Sequence, residues 1–266
     1  AGYYYTPDEI SNRLAPQYCP LPDKTAVYGD YTKRVLTEIC NYPPESVVVT
    51  GQPRYDVLTK IDKILDKEKI FEQLDLDPRK KTVVLATGMS QAKYGYPDHD
   101  EPLLDATFKA LNEIPNIQLA IKVHPRDDGE LQRRMVAERG LKDALITKGK
   151  LYELLYLCDV LMTFCSTVAT EALILDKPVI TVNLTGEPDP MPYAESGAAI
   201  GVCCGKDLAQ AIKDALENPG VRKKLEENRR KFLCDHVYKI DGGSSRRVVD
   251  LIEQMIKRDP RRDMRD

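Results

Sequence analysis

Lys122-Val123-His124-Pro125, Cys165-Ser166-Thr167-Val168-Ala169-Thr170-Glu171 and Thr185-Gly186-Glu187-Pro188 are the most informative stretches of this sequence. The first closes the apolar run Ile117–Val123, and the others come after the runs Val160–Phe164 and Pro178–Val182. Each therefore sits where a strand should end. In an open parallel α/β sheet, ligands bind outside the carboxyl ends of the strands, where loops and helix starts converge. A histidine, a hydroxyl-bearing helix start and a helix carboxylate at one such edge suit a nucleoside diphosphate. Amides and hydroxyls at the helix start take the phosphates, and the carboxylate can take a ribose diol.

Outward from these stretches the sequence alternates regularly. Strands are predicted at Ser46–Gly51, Thr82–Ala86, Ile117–Val123, Ala144–Thr147, Val160–Phe164, Pro178–Val182 and Ala198–Cys203. Helices are predicted at Leu103–Ile114, Leu131–Arg139, Leu151–Cys158, Ser166–Leu175 and Asp207–Leu216. Near-continuous apolar strands alternating with helices mark a parallel sheet covered on both faces, so the fold class is α/β and Rossmann-like. Before this series come a short apolar run, Thr25–Gly29, and a helix from Asp30 to Cys40 with Asp30 as its N-cap. Pro53 is placed in the first turn of a long charged helix reaching Leu76. After the series, residues 221–257 read as helical, broken at Asp241-Gly242-Gly243, with Ser244 or Ser245 capping the last helix. Residues 1–22 have no period and read as a loop, and 258–266 as a frayed tail.

Composition narrows the function. The 266 residues carry a net charge of −3, which argues against a broad nucleic-acid surface. Seven cysteines without a Cys-x-x-Cys pair read as reduced thiols, and a cytoplasmic protein is expected. No apolar stretch approaches the roughly 20 residues of a membrane span, although peripheral membrane contact stays compatible with the sequence. Phosphate-loop, dinucleotide and nucleophile-elbow motifs are missing, and no His/Cys cluster has metal-ligand spacing. No metal or resident cofactor is expected, so the nucleotide would be part of a substrate.

Several residues are candidates for that substrate's site. Ser166 and Thr167 follow their strand directly, at the turn where helix-end amides attract a diphosphate. The plainer reading makes Ser166 an N-cap. Glu171 lies one turn deeper on the same face, as ligand group or as exposed edge of an amphipathic helix. His124 stands at a strand end that Pro125 closes. Lys122 alternates with Val123 and is expected to reach solvent. Thr87-Gly88 offers small backbone at the same edge. Glu187 belongs to a stiff acidic loop, 185–196.

Together with Gly29, the run Val49-Thr50-Gly51-Gln52-Pro53-Arg54-Tyr55-Asp56 and Asp241-Gly242…Arg247-Val248, these stretches resemble the GT-B superfamily. The branch is that of UDP-N-acetylglucosamine 2-epimerases, capsule-polysaccharide glycosyltransferases and glycerophosphotransferases of wall-polymer synthesis. The resemblance implies two Rossmann-like domains with the site between them, this chain supplying the C-terminal, nucleotide-binding one. It implies the diphosphate at Ser166 and Thr167, the ribose at Glu171, and a phosphate or sugar contact at His124, which is expected to be the catalytic residue, stabilising charge on the diphosphate leaving group. Thr87, Gly88, Lys122 and Glu187 complete the expected binding set. Residues 1–45 would be the tail of an N-terminal domain, 46–220 the nucleotide-sugar domain, 221–258 helices returning toward the N-terminal domain, and 259–266 a disordered tail. The partners implied are a UDP-sugar and the N-terminal domain, with a homo-oligomer as an option and no nucleic acid. The epimerases carry Ser-Gly-Gly at Ser166-Thr167-Val168 and Thr-Glu-Arg-Pro-Glu at Thr185–Asp189. These departures favour a glycosyltransferase of surface polysaccharide or glycoconjugate synthesis, ahead of a 2-epimerase or a nucleotide-binding module without turnover. The chain by itself is expected to bind nucleotide without turning it over.

Overall fold

The computed structural model describes residues 22–88, 99–141, 143–189 and 191–258. The expected N-terminal loop at 1–21, most of the polar loop after Gly88 and the tail from 259 lie outside the described residues. The chain forms two compact units. One is Ile61–Phe232; the other joins the residues up to Lys60 to those from Leu233 onward.

The strands in chain order are β1 (Thr25–Val27), β2 (Val47–Val49), β3 (Lys81–Ala86), β4 (Ile117–Lys122), β5 (Leu145–Thr147), β6 (Val160–Thr163), β7 (Val179–Val182) and β8 (Ile200–Val202). The α-helices are α1 (Asp30–Arg34), α2 (Ile61–Ile64), α3 (Lys67–Gln73), α4 (Asp100–Asn112), α5 (Glu130–Glu138), α6 (Leu151–Leu157), α7 (Val168–Ile174), α8 (Leu208–Glu217), α9 (Pro219–His236) and α10 (Ser244–Arg258).

The larger unit is built on one sheet of order β5-β4-β3-β6-β7-β8, every pairing parallel. Residues 82–86 of β3 and all of β6 and β7 are buried, with no exposed face in alternation. That is the signature of strands covered on both sides, and it explains why their sequence is apolar without a period of two. Val83, Leu85, Ile121, Met162 and Ile180 pack with Leu104, Phe108 and Ile212 of the helices in one core cluster. The order reverses between β3 and β6. Connections from β3 run to β4 and β5 on one side, while β6 leads to β7 and β8 on the other, which opens a crevice at the carboxyl ends of the central pair.

The smaller unit holds the parallel pair β1 and β2, in register Thr25↔Val47 to Val27↔Val49. Across the two units the structure corrects three expectations about helices. The helix after β1 is α only over Asp30–Arg34 and continues as a π-helix over Val35–Ile39. Its N-cap is Gly29, not Asp30, in extended backbone without a side-chain cap bond. A Cβ on Gly29 would stand 2.5 Å from the Asp235 carbonyl oxygen, so close approach of two backbones selects glycine. The expected long helix from Pro53 to Leu76 is three pieces: a 3-10 helix at Pro53–Lys60, then α2, then α3. Asp66 makes the last break, because its carboxylate accepts from the Glu68 and Lys69 amides and starts a new helix.

The third correction concerns α10. Ser244 opens the helix but does not cap it. The Asp56 carboxylate accepts from the backbone N–H of Ser244 at 2.9 Å and of Ser245 at 2.7 Å, across 188 residues of chain. Arg247 donates from Nη1 to both Asp241 carboxylate oxygens and from Nε to the Thr50 carbonyl at 2.7 Å. Desolvation pushes the Asp56 carboxyl up, yet the bonds from Ser245 and Ser244 outweigh it and hold it below the ordinary 3.8. Stability from this cap is therefore full above that ordinary value and is lost as pH falls through the depressed folded value. Asp56→Ala is expected to cost about 1–2 kcal/mol, the range for a lost cap, and to speed amide exchange in the first turn of α10. Unchanged exchange at Ser244 and Ser245 would refute the cap.

Candidate functional site

The candidate site is the carboxyl edge of the sheet in the unit Ile61–Phe232. Register fixes its layout: Ala86 pairs with Lys122 on one side and Thr163 on the other, and Thr163 pairs with Thr181. The residues that leave β3, β4, β6 and β7 thus emerge at one level. With neighbouring strands about 4.8 Å apart, the edge from β4 to β7 runs about 14 Å, room for a nucleoside diphosphate.

At the end of β3, the Thr87 amide extends the ladder to the Lys122 carbonyl at 3.1 Å. Thr87 is buried, and its hydroxyl meets no hydrogen-bond partner among the described residues. The Gly88 amide donates to Asp100 Oδ1 at 3.2 Å, which ties this loop to the start of α4.

At the end of β4 the expectation for Lys122 fails. Lys122 is buried, and its Nζ donates to the Val123 carbonyl at 2.8 Å, folding back on its own backbone. A strand covered on both faces has no solvent side for alternation to supply. His124 is half-buried at the mouth of the loop. Its Nδ1 accepts from the Arg126 amide at 3.2 Å, and its carbonyl accepts from the Asp127 amide at 2.9 Å. An accepting Nδ1 leaves Nε2 as the protonated nitrogen of the neutral ring, a donor for an anion. Burial, then the charges of Lys122 and Arg126, hold the imidazole below its ordinary 6.5. The ring is neutral at pH 7.

At the end of β6, Thr163 Oγ1 donates to the Ala86 carbonyl at 2.9 Å and joins the two central strands at the switch point. The following turn is tighter than the sequence implies. Thr167 is the N-cap of α7 and makes no side-chain cap bond, whereas Ser166 Oγ accepts from the Val168 amide at 3.2 Å. The Ala169 and Thr170 amides bond to the Ser166 and Thr167 carbonyls. What this turn offers a ligand is the Ser166 hydroxyl proton and the exposed Thr167 hydroxyl, rather than a fan of helix amides. Glu171 does not lie at an exposed helix edge: it is only 1% exposed, among Ala169, Thr170, Ala172 and Leu173, all buried. Beside it, Thr170 and Tyr193 share a 2.9 Å hydrogen bond, and burial pushes the Tyr193 hydroxyl up to about 12.

At the end of β7 the organising residue is Asn183, which the sequence reading missed. Its amide donates to the Glu187 carbonyl at 2.8 Å and to Asp189 Oδ1 at 2.7 Å, and its Oδ1 accepts from the Thr185 hydroxyl at 2.6 Å. Gly186 has φ +78°, which lets the turn close. Glu187 is exposed and helps line a cavity of about 340 Å³ with His99, Phe164, Val182 and Leu184. His99, also unforeseen, lies against Phe164 with ring centroids 5.1 Å apart.

The structure therefore brings Thr87, Gly88, Lys122, His124, Ser166, Thr167, Glu171 and Glu187 to one end of the sheet, where the Thr87, Lys122 and Glu171 side chains are buried. This fold belongs to the GT-B superfamily. Residues 18–254 match the family described as CDP-Glycerol:Poly(glycerophosphate) glycerophosphotransferase, and the chain is a member of that family. The chain is similar to a processive diacylglycerol beta-glucosyltransferase of Bacillus licheniformis, 24% identical over 236 residues, with 87% of this chain and 57% of the relative covered. Among solved structures it resembles the wall teichoic acid polymerase TagF, with a TM-score of 0.67, 20% identity, and 94% of this chain and 61% of that one covered. It also resembles UDP-GlcNAc 2-epimerase from Neisseria meningitidis bound to UDP-GlcNAc, with a TM-score of 0.68, 15% identity, and 93% and 65% covered. The chain thus spans about three fifths of the length of these relatives. No helix among the described residues is long and apolar enough to cross a membrane.

His124 is expected to titrate below 6.5 when its ring resonances are followed by NMR against pH. Lys122→Gln, which removes one of the two cations that lower it, should move the midpoint upward. A midpoint at or above 6.5 in the unaltered chain would contradict the environment described.

Proposed function

We propose that the unit Ile61–Phe232 binds the nucleotide end of an activated donor along its carboxyl edge. We propose further that the whole protein transfers the group this nucleotide carries to a surface polymer or glycoconjugate. One observation carries the reading: hydroxyl donors, a neutral histidine and a buried carboxylate line a single edge at the switch point of one parallel sheet. Family membership favours CDP-glycerol as donor, with glycerol phosphate as the group transferred.

Each residue then has a part set by its chemistry. The Ser166 and Thr167 hydroxyls donate to the diphosphate, and Thr87 supplies a further hydroxyl at the same level. Glu171, one turn into α7, accepts from the two ribose hydroxyls. His124, neutral with its proton on Nε2, donates to a phosphate oxygen and stabilises charge that grows as the phosphate bond breaks. Glu187 stands by the cavity at the end of β7, where the hydroxyls of the transferred group would meet an acceptor.

A second reading keeps the site and changes the donor to a UDP-sugar. It is favoured by the glucosyltransferase relative and by the epimerase fold that holds UDP-GlcNAc. Calorimetry with CDP, CDP-glycerol, UDP and UDP-N-acetylglucosamine separates the two. Tighter binding of the cytidine pair is expected, and tighter binding of the uridine pair would install the second reading. With the preferred nucleotide, replacing Ser166 and Thr167 together by Ala should weaken binding by about 1–3 kcal/mol, the scale of charge-assisted hydrogen bonds. Glu171→Gln should weaken nucleotide binding more than pyrophosphate binding, since pyrophosphate has no diol. If none of the four ligands binds the folded chain, the proposal falls.

A further inference from the structure

At the opposite, amino edge of the same sheet, α9 carries a feature that the donor site does not use. Its sequence contains two basic triplets, Arg222-Lys223-Lys224 and Arg229-Arg230-Lys231, separated by one heptad. At 1.5 Å rise per residue, matching members stand about 10.5 Å apart along the axis and nearly in line. The chain as a whole has a net charge of −3, yet α9 holds six Lys and Arg against Glu226, Glu227 and Asp235. Lys223, Lys224, Arg230 and Lys231 are exposed. Arg229 is turned inward to Asp176 at 2.6 Å, and Arg230 pairs with Glu226. Arg222, Lys223, Lys224 and Lys231 make no ion pair with a described residue. At the foot of the helix lies a cavity of about 540 Å³, lined among others by Asp176, Lys177, Pro178, Arg222 and Lys223.

We propose that this face of α9 is a secondary site for a soluble phosphodiester polyanion, distinct from the donor edge. Two cationic rungs two helical turns apart match a ligand with charges repeated along its length better than a single phosphate ion. The face is also unsuited to a bilayer. A helix that lies in a membrane interface buries an apolar side in the lipid. Leu225, Phe232 and Leu233 are instead buried in the protein, and none of the large exposed hydrophobic residues among those described falls on α9. Attraction here is electrostatic, with Glu226 and Glu227 between the rungs moderating it. The identity of the polymer rests on the proposed function: a glycerol phosphate chain, product or acceptor of the reaction, held away from the reacting end.

The test uses the whole chain and a fluorescent oligo(glycerol phosphate) of defined length, followed by anisotropy over a range of salt. Binding should weaken steeply as salt rises, as counterion release from a polyanion requires. Replacing Lys223, Lys224, Arg230 and Lys231 together by Gln should reduce affinity about tenfold or more at low salt. Glu226→Gln with Glu227→Gln should increase it, which keeps the proposal testable if the fourfold variant folds poorly. Three results would overturn it: unchanged oligomer affinity in the folded fourfold variant, equally tight binding of inorganic phosphate, or binding of phosphatidylglycerol vesicles without binding of the oligomer. Calorimetry of CDP-glycerol on the same variants reads the donor edge separately, so loss of one site is not mistaken for loss of the other.

Discussion

The parallel ladder that joins β3 to β4 and β6 is the constraint on which the rest of the larger unit depends. A parallel strand cannot return through a hairpin, so each strand needs a crossover, and the crossovers cover both faces of the sheet. Once both faces are covered, the central strands must be apolar along their whole length, and polar groups collect at the ends. Thr163 makes this concrete. Its hydroxyl binds the Ala86 carbonyl and holds the two central strands together at the place where the connections diverge. The candidate site is what that divergence leaves open.

The same burial sets the chemistry of individual groups. Lys122 at a strand end is drawn inward and spends a donor on its own backbone, while its charge remains to depress the neighbouring imidazole. Glu171, in a helix whose other residues are apolar apart from Thr170, has almost no exposure. Cys165 is pushed up by burial and is a poor nucleophile at neutral pH, which leaves the adjacent hydroxyls as the useful groups of that turn. In the smaller unit the organising force is polar instead. One carboxylate, Asp56, caps a helix nearly two hundred residues away in sequence, and Arg247 ties the same helix to Asp241 and Thr50.

Much of this was legible in the sequence. Val160–Thr163 and Val179–Val182 are short and almost wholly apolar and alternate with helical stretches, so strand type, parallel pairing and the candidate edge followed from the pattern of the sequence. His124 and Ser166 were found because they sit at the ends of such runs, and Glu171 because it is a carboxylate one turn into the helix that follows. Asn183 and His99 were missed because their roles consist of partners: a lone asparagine after a strand carries no signal until Thr185, Glu187 and Asp189 fold around it. The helix ends were read least well. Asp30, Ser166 and Ser244 all have the composition of caps, but the caps are Gly29, Thr167 and the distant Asp56.

The α/β class, the strand edge and the residue types gathered there are encoded locally, because hydrophobic periodicity and turn chemistry are properties of short stretches of chain. The tertiary structure decided which of those residues remain available. Whether Lys122 faces solvent or backbone, whether Glu171 lies on a surface or inside, and which nitrogen of His124 carries its proton all depend on neighbours contributed by other elements. Burial and hydrogen bonding are sums over such neighbours, and no local pattern in the sequence contains them.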